Sequence, residues 1–187
     1  MRRYSIGIDP GRSAAIAVVE YRGIPGRRLV YSASIYGGRG PREDRLQDAL
    51  RDVARIIGVK RDAVGEIIDR PHADVWIELP AGGGASTGRA NGWQLSVGRD
   101  IGRWEVLANV HFGVIARTMA ANSWPKVCGI RCGKSRIDGG FHRIQEARLR
   151  LDDSSDLAAG VAGESAASRE RRIARCEAAL IAFAGSK

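Results

Sequence analysis

The run YSIGIDPGRSAAIAVVE, Tyr4 to Glu20, constrains the fold more than any other stretch of the chain. Tyr4, Ile6 and Ile8 alternate with small residues, which reads as a strand with at least one buried face. Asp9 ends that strand, Pro10 and Gly11 turn the chain, and a second apolar run, SAAIAVVEY, begins at once. After RGIPGRR, the segment LVYSASIY reads as a third strand, so the first three form an antiparallel meander. An acid at the end of a buried strand is costly unless positive charge sits against it. Asp9 is therefore the first residue whose position asks for a chemical explanation.

Downstream, DRLQDALRDVARIIG places Leu46, Leu50, Val53 and Ile57 on one helical face with Gly58 as a stop. DVWIELP reads as a fourth strand bounded by Pro80, and the glycine-rich AGGGASTGRANG follows it. A helix is then expected from about Trp93 to Phe112, a strand near GVIARTMA, and helices near Gln145–Leu151 and Ser168–Ala184. Strands and helices in this order make an α/β sandwich. There is no internal repeat. The segment DDSSDLAAGVAGESAAS, 152–168, is the one stretch expected to be a weakly structured, mobile linker.

The length suits one domain spanning 1–187, with enough apolar residues for a real core. The 30 Lys and Arg against 21 Asp and Glu leave a net charge of +9, spread from Arg2 to Lys187. That balance favours a polyanionic partner, because phosphate contacts dominate nucleic-acid affinity. No stretch has the order of a signal peptide and no apolar run approaches a membrane span, so a cytoplasmic protein without membrane contact is expected. Cys128, Cys132 and Cys176 lack zinc-site spacing and read as reduced, packed thiols.

Two further acids repeat the puzzle of Asp9. In DVWIELP the period of two puts Val75, Ile77 and Leu79 on one face and Trp76 and Glu78 on the other. In the last helix, Glu177 lies within the stripe Ile173, Leu180, Ile181 and Ala184, and Glu170 lies two turns earlier on the same face. Carboxylates converging in a low dielectric repel and take up protons unless cations neutralise them. Divalent ions suit such hard oxygen ligands and, in pairs, serve phosphoryl displacement. Ordinary ion pairs with some of the many arginines are the alternative.

Asp9 in IGIDPG, Glu78 in WIELP and Glu177 in CEAALIA, in this order, resemble the RuvC family of Holliday-junction resolvases within the RNase H-like superfamily. NGWQLSVGRDIGRWEVL resembles the family's glycine-punctuated helix, and SWPKVCGI followed by GKSR resembles its basic segment near the cut phosphate. The resemblance implies an RNase H-like three-layer α/β/α fold around a five-stranded mixed sheet. It also implies a homodimer acting on four-way DNA junctions in recombination and repair. The expected activity is that of a crossover junction endodeoxyribonuclease, hydrolysing phosphodiesters with two Mg²⁺ or Mn²⁺ ions and leaving 5′-phosphate and 3′-hydroxyl ends. Carried over by position, Asp9, Glu78 and Glu177 would be metal ligands and Lys134 a catalytic cation. Lys126, Lys134, Arg89, Asn91 and Arg136 would contact DNA.

The chain departs from the family pattern where an acid or histidine is usual one turn before the last acid, since that position is Ala174. Either Glu177 acts alone on its helix or Glu170 joins the metal site. The last acid is itself more often Asp, so Glu177 implies a longer reach. No aromatic follows Glu78 before Trp93 to wedge a crossover, which leaves sequence preference weak or assigned to Arg89 and Asn91. Trp93 and Trp104 share a face of their helix and read as packing rather than base-stacking residues, which suits a helix that lies at the family's subunit interface. RERRIAR is either a solvated helix face or a strip along a DNA arm. Competing functions are a flap, branched-DNA or single-strand nuclease of the same superfamily, and a catalytically inactive junction-binding protein. An actin-like ATPase shares the Asp-turn but needs about twice the length.

Overall fold

The computed structural model describes residues 3–10, 13–21, 26–35, 42–69, 72–79, 90–130, 136–154, 157 and 164–186, with backbone only at 42, 90–97 and 136–141. Three antiparallel strands open the chain: β1 (Arg3–Asp9), β2 (Ala15–Tyr21) and β3 (Arg27–Ser34). Helix α1 (Arg42–Ile57) starts with Glu43 and Asp44 and ends with Arg55, charges that suit its dipole. Gly58, at φ +81°, turns the chain out of the helix.

A short hairpin follows, β4 (Lys60–Arg61) and β5 (Ile67–Asp69), which the expected strand order lacks. Its turn is held by the Asp62 carboxylate, which accepts from the backbone N–H of Val64 and Glu66. Strand β6 (Ala73–Leu79) then runs parallel to β1, and α2 (Ala90–Phe112) leads to β7 (Arg117–Ala120), parallel to β6. Arg61 donates to the carbonyls of Val110 and His111, tying the hairpin to the end of α2. The chain closes with α3 (Trp124–Val127), α4 (Arg136–Arg150) and α5 (Ala166–Gly185).

The five-stranded sheet has the order β3-β2-β1-β6-β7, mixed, with β1 at its centre. Alternation along the strands divides the apolar residues between two layers. Ile6, Ile8, Ile16, Val18, Val75 and Ile77 face α1 and α2, with Leu50, Val53, Trp104 and Phe112. Ala15, Ala17, Val19 and Trp76 face α3, α4 and α5, with Trp124, Ala147, Leu180 and Ile181. The architecture is therefore three-layer α/β/α. Leaving water contributes roughly 1.5–3 kcal/mol for each large aliphatic side chain such as Leu180 or Ile181.

One expected boundary needs revision. Helix α4 starts at Arg136, well before Gln145, despite Gly139 and Gly140. Trp104 is buried in the core as a packing residue, while Val106 and Val110 are exposed on α2; the side chain of Trp93 lies outside the described residues. The mobility expected over 152–168 falls largely on 155–156 and 158–163, which lie outside the described residues; the described ones are placed as follows. Asp152 exchanges backbone hydrogen bonds with Arg27 and Leu29, Leu157 is fully buried, and Ser165 caps α5 by accepting from the N–H of Ser168. Cys128 and Cys176 are buried free thiols, and burial pushes the Cys176 thiol up to about 12, which makes it inert. Among the described residues no helix is long and apolar enough to cross a membrane.

Candidate active site

Strands β1 and β6 run side by side with Ile8 opposite Ile77, so the next residues, Asp9 at the end of β1 and Glu78 one residue before the end of β6, are neighbours. Both follow the parity of Gly7 and Trp76, the sheet face covered by α5. Helix α5 lies close on β1 because residue 7 has no side chain. A Cβ there would stand 2.0 Å from the Ala178 carbonyl oxygen and 2.5 Å from the Ala182 nitrogen. That approach puts Glu177, one residue before Ala178, within hydrogen-bonding reach of Asp9. Three carboxyl groups from β1, β6 and α5 thus meet at one end of the central strands.

Their electrostatics follow from that meeting. Asp9 is only 7% exposed. Burial and the Asp9 charge push Glu78 up to about 6, against the pull of its hydrogen bond from Trp124 and the charge of Arg143. Glu177 is raised further, by burial first and then by Asp9, with Arg143 opposing. Two supports hold the cluster. The Trp124 indole N–H donates to Glu78 Oε1 at 2.9 Å, and the Arg143 guanidinium donates to Glu177 Oε1. Arg143 also lies over the Trp124 ring, 5.9 Å from its centroid.

A pH dependence follows. A carboxyl whose folded pKa lies above its unfolded value lets the native state hold the extra proton, so stability falls as pH rises between the two values. For Glu78 the window runs from about 4.5 to about 6 and is worth about 2 kcal/mol. In thermal unfolding with chelator present, the wild type is expected to lose stability relative to Glu78→Gln as pH is raised across this window. Parallel curves for the two proteins would contradict the shift.

Three carboxylates are a donor set that fits a hard divalent cation, and burial followed by mutual repulsion makes Glu78 and Glu177 costly to ionise without one. As the side chains stand, no group of three or more His, Cys, Asp and Glu among the described residues is arranged to hold an ion. Arg143 occupies Glu177 instead.

The other sequence candidates are placed as follows. Glu170 is exposed on α5 and is not among the charges acting on Glu177, so the structure does not bring it to the cluster. Ala174 is buried in the apolar layer. Lys126 is exposed on α3, two residues from Trp124. Asn91 and Arg136 are helical in backbone, in α2 and α4, but their side chains lie outside the described residues, as do Lys134, Arg89 and the glycine-rich loop. In RERRIAR, Arg172 pairs with Glu164 and is nearly buried, which makes it structural.

No protein-family model and no curated protein sequence matches the chain. Among solved structures, it is similar to Thermus thermophilus RuvC in complex with a Holliday junction substrate. The match covers 98% of this chain and 93% of that one, with a TM-score of 0.55 and 17% identity. The chain has the RuvC fold. A further Thermus thermophilus RuvC structure matches over 97% of this chain and 96% of its own, with 16% identity and a TM-score of 0.45.

Within the RuvC fold, Trp124 and Arg143 are the site residues that the sequence reading did not single out. A signal for Arg143 exists in α4. Ile144 and Ala147, with Leu151 just past its end, form its buried stripe, and Arg143, one turn before Ala147, lies along it. An arginine there needs a buried acid, and Glu177 is that acid.

Proposed function

We propose that this protein is a structure-specific endodeoxyribonuclease that resolves four-way DNA junctions by metal-dependent phosphodiester hydrolysis. The observation that carries the reading is the convergence of Asp9, Glu78 and Glu177 on adjacent central strands and the helix laid across them, within the RuvC fold. The junction in the Thermus thermophilus RuvC complex supports branched DNA as the substrate class. The net charge of +9 suits any phosphate-rich partner.

In this reading Asp9, Glu78 and Glu177 would hold Mg²⁺ or Mn²⁺, two ions per site. When bound, such ions supply a nucleophile at neutral pH and stabilise charge on the attacked and leaving oxygens. The chain's own residues orient that chemistry. Trp124 fixes one oxygen of Glu78, so the carboxylate cannot rotate freely. Burial under α5 keeps Asp9 and Glu177 in a low dielectric, where cations at the site act more strongly. Lys126, Lys134, Arg89, Asn91 and Arg136 would contact DNA, with Lys134 neutralising the cut phosphate. Paired cuts need two sites related by two-fold symmetry, hence a homodimer. The working compartment is the cytoplasm of a bacterial or phage-infected cell.

A specific observation favours one rival. Arg143 already neutralises Glu177 and Ala174 supplies no acid, as in a protein that binds junctions without cutting them. Strand cleavage separates the readings, using a synthetic four-way junction beside flap, duplex and single-strand controls with Mg²⁺, Mn²⁺ or EDTA. Symmetric nicks confined to the junction and abolished by EDTA are expected. Tight junction binding without cleavage in either metal would favour the binding protein. Preferential cutting of flaps or single strands would make it another nuclease of this fold.

A further inference from the structure

Arg143 stands at an unusual place for an arginine. Helix α4 buries Ile144 and Ala147, and Arg143 sits on the edge of that stripe with its side chain 34% exposed. Its guanidinium makes two contacts that fix its plane: it donates to Glu177 Oε1 and lies over the Trp124 ring. Trp124 in turn donates to Glu78. One cation therefore leans on the supports of both glutamates, and it is a charge that lowers the pKa of each of them.

We propose that Arg143 is the resident counter-ion of the carboxylate cluster, and that a divalent ion loads the site by displacing it from Glu177. The inference rests on the reading that Asp9, Glu78 and Glu177 hold metal. A divalent ion beside Glu177 and a guanidinium on the same carboxylate repel each other, and both compete for its oxygens. Before metal arrives, Arg143 limits the repulsion among the three acids. After metal arrives, its presence on Glu177 is redundant and unfavourable. The threshold metal concentration is then set by a side chain from α4, an element that contributes none of the three acids.

The test is direct ion binding to the full chain without DNA. Free Mn²⁺, read by its electron paramagnetic resonance signal, is titrated against the wild type, Arg143→Gln and Arg143→Lys. Arg143→Gln is expected to bind Mn²⁺ at least about tenfold more tightly, within the usual range for coupled sites, while Arg143→Lys, which keeps a cation, stays closer to the wild type. Removal of a distant positive charge would also tighten binding, so a second readout reports movement. Addition of Mg²⁺ to the wild type is expected to change tryptophan emission as the guanidinium leaves the Trp124 ring. That change should be absent in Arg143→Gln and in Trp124→Phe.

Unchanged or weaker Mn²⁺ binding in Arg143→Gln overturns the proposal, since it would make Arg143 a support for the ligands. Tighter binding with no Trp124-dependent signal in the wild type also overturns it, because no displacement would have occurred. If Arg143→Gln fails to fold, the Mg²⁺-dependent emission of the wild type against Trp124→Phe still decides between displacement and a fixed guanidinium. Absence of ion binding in every variant would overturn both this proposal and the metal-dependent reading. Normal Mn²⁺ binding without Arg143 dependence would overturn this proposal alone.

Discussion

Gly7→Ala is expected to destabilise the protein by more than about 3 kcal/mol, beyond the usual range for overpacking, and to lower Tm by roughly 10 °C. In a strand, alanine ordinarily stabilises relative to glycine by roughly 0.5–1 kcal/mol because it restricts the unfolded chain. Here that gain is outweighed. The new Cβ would meet the Ala178 carbonyl oxygen at 2.0 Å and the Ala182 nitrogen at 2.5 Å, and both are backbone atoms that cannot rotate aside. Relief requires lifting α5 from β1, which withdraws Glu177 from Asp9. The variant should therefore lose activity at temperatures where it is still folded. Gly98→Ala is the control. Nothing lies within 4 Å of that position on α2, so the helix should gain roughly 0.5–1 kcal/mol. Thermal melts of the two variants check the pair. A Gly7→Ala protein as stable as the wild type would mean that α5 is not seated on β1 in this way.

Asp9→Asn is expected to reduce junction cleavage by about 10³-fold or more, since it removes charge stabilisation worth several kcal/mol in the transition state. The substitution keeps the shape of the side chain, so a folding defect is not the expected cause. Stability should move the other way. Asp9 raises the pKa of both Glu78 and Glu177, and removing its charge relieves both of them. A higher melting temperature without metal, junction binding near the wild-type level and lost cleavage together identify a functional acid held at a cost to the fold. Cleavage within tenfold of the wild type would remove Asp9 from the chemistry.

The central architecture was readable because period and position agree. Asp9 and Glu78 announce themselves as acids in apolar strands, and Glu177 as an acid in an apolar helical stripe. Each of these signals lies within a few neighbouring residues. Trp124 and Arg143 were hidden because their partners lie far along the chain: Trp124 meets Glu78 across 46 residues, and Arg143 meets Glu177 across 34. The hairpin β4–β5 was missed because its strands are short and largely exposed, leaving little alternation to read. The start of α4 was missed because Asp138-Gly139-Gly140 reads as a turn, whereas tertiary packing of Ile144 and Ala147 carries the helix through it. The reading of 152–168 as a linker rests on composition, and only 152–154, 157 and 164–168 of it are among the described residues. Backbone pairing of Asp152 with β3 and burial of Leu157 are long-range events that composition does not report.

The two apolar layers also act as a partition for anyone wishing to watch this protein at work. Everything that shapes the acids, from Gly7 to Trp124, Arg143 and α5, lies in the layer beneath one face of the sheet, while α1 packs on the opposite face. Asp48 and Arg51 on the outer side of α1 pair with each other and are largely exposed. A dye or surface tether attached there would report on the molecule from behind a wall of isoleucines and valines, leaving the chemistry on the other side undisturbed.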